Sequence, residues 1–274
     1  MKTALSPEQR QQLATLLTYC KEMGGVDFYR GEHDDSTPCI EPPLPPRERN
    51  APEPLPTMPL KSSLIATYTP IDFSSPAIAP QDRAAALEAI RQEIGDCTRC
   101  QLAFEGRHKI VFGDGDPNAE LLFVGEGPGA DEDEQGIPFV GRAGQLLNNM
   151  ITAMGLDRKR VYIANIVKCR PPKNRVPEPA EANTCTQFLF QQIGIVRPKL
   201  IVALGATAAT YLLGSKAALS VLRGKVHDCM GTKLIVTYHP AYLLRDPRQK
   251  VETWKDLQLA MKFLGLTAPK RSAE

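Results

Sequence analysis

From residue 82 onward, blocks of consecutive aliphatic residues alternate with stretches whose apolar residues recur every third or fourth position. The first pattern predicts a strand buried on both faces, the second one face of a helix. Asp82 caps the first helix, where Leu87, Ile90 and Ile94 share a face and Gly95 stops the run. Residues 120–125 form the first strand, leading into a glycine-rich loop. Ala143, Leu146, Leu147, Met150, Ile151 and Met154 make a helical stripe ended by Gly155. Residues 161–167 are the second strand, and Ala182, Cys185, Leu189, Ile193 and Val196 mark the next helix. Residues 199–204 are the third strand, with a short helix through Leu213. Residues 233–238 are the fourth, and Trp254, Leu257, Met261 and Leu264 line a last helix. The alternation predicts an α/β fold: a three-layer α/β/α sandwich around a central four-stranded, mainly parallel sheet.

The first eighty residues do not share this pattern. Ser6-Pro7-Glu8-Gln9 resembles a helix start, Leu13, Leu16, Leu17 and Cys20 keep helical spacing, and Gly24 and Gly25 end it. Twelve of the chain's 24 prolines lie between Pro38 and Pro80, which predicts an extended linker. The expected organisation is an N-terminal helix and arm (1–37), a Pro-rich linker (38–80), one α/β domain (81–266) and a tail (267–274). The arm reads as a docking element for an unidentified partner. The longest apolar stretch, 200–214, is broken by Gly205, Thr207 and Thr210, so no membrane span is expected. The N-terminus has no apolar signal region, which predicts a cytoplasmic protein.

Net charge is +2, but residues 1–80 carry seven basic and ten acidic side chains, leaving the excess to the α/β part. That excess is too small to imply a nucleic-acid partner. Its distribution is more informative: residues 158–175 hold seven basic side chains and no acidic one, a surface for phosphates or for solvent. The seven cysteines are not expected to form disulfides in a reducing compartment. Cys20, Cys39 and Cys229 stand alone. Cys97 and Cys100 form a C-x-x-C pair, with Cys169 and Cys185 far downstream. Spacing alone leaves open a four-cysteine metal site, unrelated buried thiols and a redox pair.

In open parallel sheets ligands sit beyond the carboxyl ends of the strands, which directs attention to three loops. Gly125, Gly127 and Ala130 formally satisfy a dinucleotide pattern. Four acidic residues follow, however, and Gly136 and Pro138 are expected to interrupt any helix beneath a pyrophosphate, so this reading is set aside.

The loops together carry a resemblance. Cys97-x-x-Cys100, Gly125-Glu-Gly-Pro-Gly129, Pro138-Phe139-Val-Gly-Arg-Ala-Gly144, Asn165-Ile-Val-Lys-Cys169-Arg-Pro-Pro172, Cys185 and His239-Pro-Ala-Tyr-Leu-Leu-Arg245 occur in order over residues 85–266. In these the chain resembles the iron–sulfur uracil-DNA glycosylases, family 4 of the uracil-glycosylase superfamily. The resemblance implies a monomer that flips deoxyuridine out of single- or double-stranded DNA and hydrolyses its glycosidic bond to start base-excision repair. It implies that Phe139 stacks under the uracil and that Asn165 reads it through a paired donor and acceptor. His239 would hold charge developing at O2, helped by backbone N–H groups near Glu126 and Gly127. Better-known uracil glycosylases carry an Asp that positions water and a Tyr that blocks the thymine methyl; the matching places here are Gly127 and Gly129. Glu126 and Glu132 are therefore the expected substitutes, one assisting water and one guarding C5. Cys97, Cys100, Cys169 and Cys185 would ligate a structural 4Fe–4S cluster. Lys168, Arg170, Lys173 and Arg175 would face DNA phosphates, and Leu243, Leu244 and Arg245 would fill the vacated stack. Two alternatives remain: a uracil-DNA-binding protein without turnover, and a zinc-bearing nucleotide-binding protein. The cross-linking branch of the superfamily uses a His in its basic loop, and residues 168–175 contain none.

Overall fold

A computed structural model describes residues 77–267. The helix expected after Ser6, nearly all of the Pro-rich linker and the tail lie outside the described residues.

Helix α1 (Arg83–Ile94) precedes strands β1 (Asp114–Gly115) and β2 (Leu121–Gly125). After them come α2 (Ala130–Gln135), α3 (Arg142–Ala153), β3 (Tyr162–Asn165), α4 (Pro179–Val196) and β4 (Leu200–Leu204). The chain continues through α5 (Ala206–Leu213), α6 (Leu219–Leu222), β5 (Val226–Cys229), β6 (Thr232–Thr237), α7 (Pro240–Arg245) and α8 (Lys250–Leu264). The sheet order is β1-β3-β2-β4-β6-β5. The four inner strands are parallel and are the four expected ones. Two short antiparallel edges extend them to six. Neither edge has the apolar block that marks a doubly covered strand: β1 is Asp-Gly, and β5 leaves Val226 and Asp228 exposed.

Residues alternate across the sheet as the pleat requires. Leu122 and Val124 of β2 pack with α1, α4 and α5, while Leu121 and Phe123 pack with α3 and α8. Each fully buried aliphatic side chain contributes about 1.5–3 kcal/mol. Both faces are covered, giving the three expected layers. From β2 the chain moves to β3 on one side and later to β4 on the other, so the connections diverge and leave a crevice at the strand ends.

One local expectation fails. The acidic run after Ala130 is helix α2, although Gly136 and Pro138 were expected to prevent a helix. Gly136 instead adopts φ 79° as its left-handed C-cap. Glu132 reaches back to the N–H of Gly129, and acidic side chains in a first turn suit the helix dipole.

Candidate active site

A cleft of about 740 Å³ opens where β2, β3, β4 and β6 end. The parallel register sets Gly125 directly beside Asn165. A Cβ on Gly125 would stand 2.4 Å from Asn165 Oδ1 and 2.6 Å from Phe139 Cζ. Only glycine lets that amide and that ring converge. Asn165 is 2% exposed, and its Oδ1 is buried with no hydrogen-bond partner. Leaving such an acceptor dry costs about 1–3 kcal/mol unless a ligand supplies the donor.

Phe139 is held in the left-handed region at φ 53°. Such a conformation costs a non-glycine residue about 1–3 kcal/mol and persists only when its surroundings over-determine it. Here they do. The Arg158 guanidinium donates to the carbonyls of Pro138 at 2.5 Å and Phe139 at 3.0 Å, and is itself steadied by Asp114 at 2.9 Å. The Glu132 carboxylate accepts from the amides of Val140 and Gly141 at 2.9 Å and of Gly129 at 3.1 Å. A cation thus grips the carbonyls of this loop, and an anion grips its amides. Gly144 allows the loop to lie against α3, since a Cβ there would meet the Phe139 carbonyl carbon at 2.0 Å.

The Phe139 and His239 rings lie 5.6 Å apart, tilted by 34°. His239 caps α7, and its Nδ1 accepts from the Ala241 amide at 3.1 Å. That bond leaves Nε2 as the protonated nitrogen of a neutral ring. Burial, helped by the charge of Arg245, pushes the imidazole down to about 4, so the ring is a neutral donor at physiological pH. On the cleft's other wall, Glu126 accepts a short hydrogen bond from the Thr207 hydroxyl at the start of α5.

The structure redistributes the basic residues. Lys168, expected to face DNA phosphates, is 1% exposed because α4 closes over it; its Nζ donates to the Asn165 carbonyl at 3.0 Å and to Gln192 Oε1 at 2.6 Å. Burial pushes its ammonium down to about 8. Arg175 lines the cleft, but it is ion-paired with Glu181 at 2.7 Å and Glu105 at 3.0 Å. Arg170 bonds Asn174 Oδ1, and Lys173 is exposed. Leu243, expected to reach into DNA, is 1% exposed and packs in the core, because it occupies the inner face of α7. Its neighbours Leu244 (38% exposed) and Arg245 line the cleft. Sequence reasoning missed Arg158 and Thr207. The first was visible only as one charge in a basic run, the second only as a polar break in an apolar stretch.

Cys97, Cys100, Cys169 and Cys185 line one small cavity of about 10 Å³ together with Lys168, walled by Ile94, Ile110 and Phe188. Arg99 donates to Cys97 Sγ at 3.4 Å, and the Lys168 amide to Cys185 Sγ at 3.2 Å. Burial, reinforced by the neighbouring thiols, pushes Cys169 up to about 12. Burial also raises Cys185, to about 11. A metal cation bound here would displace the protons of these two thiols. Among the described residues no three His, Cys, Asp or Glu side chains converge as a single ion requires. The four thiols line one cavity, and an all-cysteine donor set is one that both zinc and iron–sulfur clusters take. Cys229 lies apart as a core thiol, donating to the Leu212 carbonyl.

Residues 112–258 match the model of the Uracil DNA glycosylase superfamily. The chain is 42% identical over 186 residues to the Type-4 uracil-DNA glycosylase of Thermotoga maritima, covering 66% of this chain and 96% of that protein. The Archaeoglobus fulgidus protein of the same description is 39% identical over 191 residues, 67% of this chain and 96% of its own length. A Type-5 uracil-DNA glycosylase of Pyrobaculum aerophilum is 34% identical over 158 residues, covering 51% and 69%.

Proposed function

The chain belongs to the uracil-DNA glycosylase superfamily and cleaves uracil from DNA to open its repair, and we propose that the cleft walls divide this reaction among Phe139, Asn165, His239 and Glu126. The observation that carries the assignment is the buried, unpartnered Asn165 Oδ1 in the cleft. Uracil presents an N–H at N3 and an acceptor at O4. Asn165 Oδ1 accepts the first while its Nδ2 donates to the second. Cytosine lacks the N3 proton and carries an amine at C4, so the same amide rejects it. Phe139 stacks beneath the ring.

Glycosidic cleavage leaves negative charge on the departing base and cationic character on the sugar. The neutral His239 donates from Nε2 toward O2 as that charge grows, assisted by amides near Glu126 and Gly127. Glu126, oriented by Thr207, is the carboxylate free to assist water. Glu132 takes a different role from the one expected of it: both its oxygens are occupied by backbone amides, so it positions the Phe139 loop.

Cys97, Cys100, Cys169 and Cys185 would hold a 4Fe–4S cluster, which their shared placement and the N–H···S donors to Cys97 and Cys185 support. When bound, the cluster supplies a structural brace, because hydrolysis moves no electrons. Arg170, Lys173, Leu244 and Arg245 form the DNA-facing rim of a monomeric domain, residues 81–266, acting in the cytoplasm. Among the described residues no helix is long and apolar enough to cross a membrane.

Release of free uracil from a labelled oligonucleotide, leaving an abasic site, tests the activity. Asn165→Asp should lose uracil release in a folded protein, since the ionised carboxylate repels O4. Unchanged kinetics would remove Asn165 from the site.

A further inference from the structure

Lys168 has no function in the reaction above, yet it is almost wholly enclosed. Lysines are almost never fully buried without a partner. Its ammonium has two acceptors on different elements, the Asn165 carbonyl at the end of β3 and Gln192 Oε1 on α4. Gln192 is fixed from behind, donating to the Phe112 carbonyl at 3.0 Å and the Tyr162 hydroxyl at 3.2 Å. The main-chain amide of Lys168 meanwhile donates to Cys185 Sγ, and its side chain lines the cysteine cavity. One residue therefore touches the thiol set with its backbone and the base-reading residue with its side-chain head.

We propose that Lys168 is a positioning residue for base recognition: anchored on Gln192, its ammonium fixes the Asn165 carbonyl, and with it the direction in which the Asn165 amide meets uracil. This rests on Asn165 being the base reader. The Val111 amide donates to the Lys168 carbonyl three residues on, and the amides of Ile166 and Val167 donate to the carbonyls of Gly125 and Glu126. The latter two bonds tie the segment to the glycine-rich loop, and all three leave the Asn165 carbonyl itself to Lys168. Rotation of that peptide swings the Cα–Cβ bond, so an unpinned carbonyl blurs the amide's aim while the ring platform on Phe139 stays in place. The role requires a hydrogen-bond donor long enough to bridge a strand end and a helix. A phosphate-facing lysine would need neither Gln192 nor burial.

Two oligonucleotides separate recognition of the base from binding of DNA. One carries 2′-fluoro-deoxyuridine, which presents uracil and resists cleavage; the other carries a tetrahydrofuran abasic site. The wild-type protein should prefer the first. Lys168→Met keeps length and volume while removing the donors, and at full visible cluster absorbance it should lose about tenfold of that preference with affinity for the abasic site unchanged. Equal loss on both oligonucleotides, or an unchanged preference, overturns the proposal. If Lys168→Met does not fold with its cluster, Gln192→Leu, which removes the anchor of Lys168, must show the same selective loss, and an intact preference there overturns the proposal equally. A wild-type protein without any preference would instead sink the reading of Asn165.

Discussion

The two walls that hold the base are built in opposite ways. Asn165 stands buried at the end of an inner strand, with its carbonyl tied by Lys168, which also lines the cysteine cavity. Phe139 sits on a loop in a left-handed conformation, and ionised side chains grip the main chain around it. The first wall inherits its precision from the sheet. The second must have its precision supplied residue by residue, by Arg158 and Glu132. Damage to the strand wall should therefore spread into cluster retention and folding. Damage to the loop wall should stay local and appear as weaker base binding.

The sharpest division is chemical. His239→Ala should lower the single-turnover rate by roughly a hundred- to thousand-fold, the usual cost of losing one donor to a developing anion, while affinity for the fluorinated analogue stays nearly intact. Equal losses of rate and affinity would make His239 a binding residue instead. Next comes Arg158→Ala, which frees two carbonyls beside Phe139. Hydrogen bonds from charged groups are worth about 1.5–3 kcal/mol, so affinity for the analogue should fall about ten- to a hundredfold with cluster content little changed. A collapse of cluster content in Arg158→Ala would break the contrast between the walls.

The pH dependence of stability offers a third test. His239 is held near 4 in the folded protein, below its ordinary value of 6.5, so between those values the unfolded chain binds the extra proton. This contribution to stability is present in full above about pH 6.5 and is lost as pH falls toward 4. Urea midpoints at pH 7 and pH 4.5 should diverge less in His239→Ala than in wild type. The smallest effect is expected from Thr207→Val, which removes one hydrogen bond to Glu126. At about 0.5–1.5 kcal/mol, the rate should fall two- to roughly tenfold, with analogue affinity preserved. An unchanged rate would detach Thr207 from the water-assisting carboxylate.

Much of this architecture was legible along the chain. Strands β2 and β4 are nearly unbroken apolar runs because both of their faces are covered, and the helices between the strands kept their apolar stripes for the same reason. The edge strands were not legible, since half-solvated backbone needs no apolar block. Helix α2 was missed because its ends are decided by a carboxylate reaching back to Gly129 and by a left-handed Gly136, neither of which an apolar pattern registers. The main cleft residues, Glu126, Phe139, Asn165 and His239, were identified through motif resemblance, and the fold brings them to one cleft.

By itself, then, the sequence determined the layers, the order of the inner strands' contents, and which loops carry chemistry, because these follow from local period and from residue type. Tertiary structure alone decided which of two chemically identical side chains does what. Lys168 and Lys173 lie five positions apart in one basic run; the first is enclosed by α4 and bound to Asn165 and Gln192, the second stands in solvent. Leu243 and Leu244 part in the same way, one facing the core and one the cleft. The four cysteines come from three separate segments and meet only when α4 packs against the loops around them. Burial and convergence belong to pairs of distant segments, and a local pattern holds no record of which segments will meet.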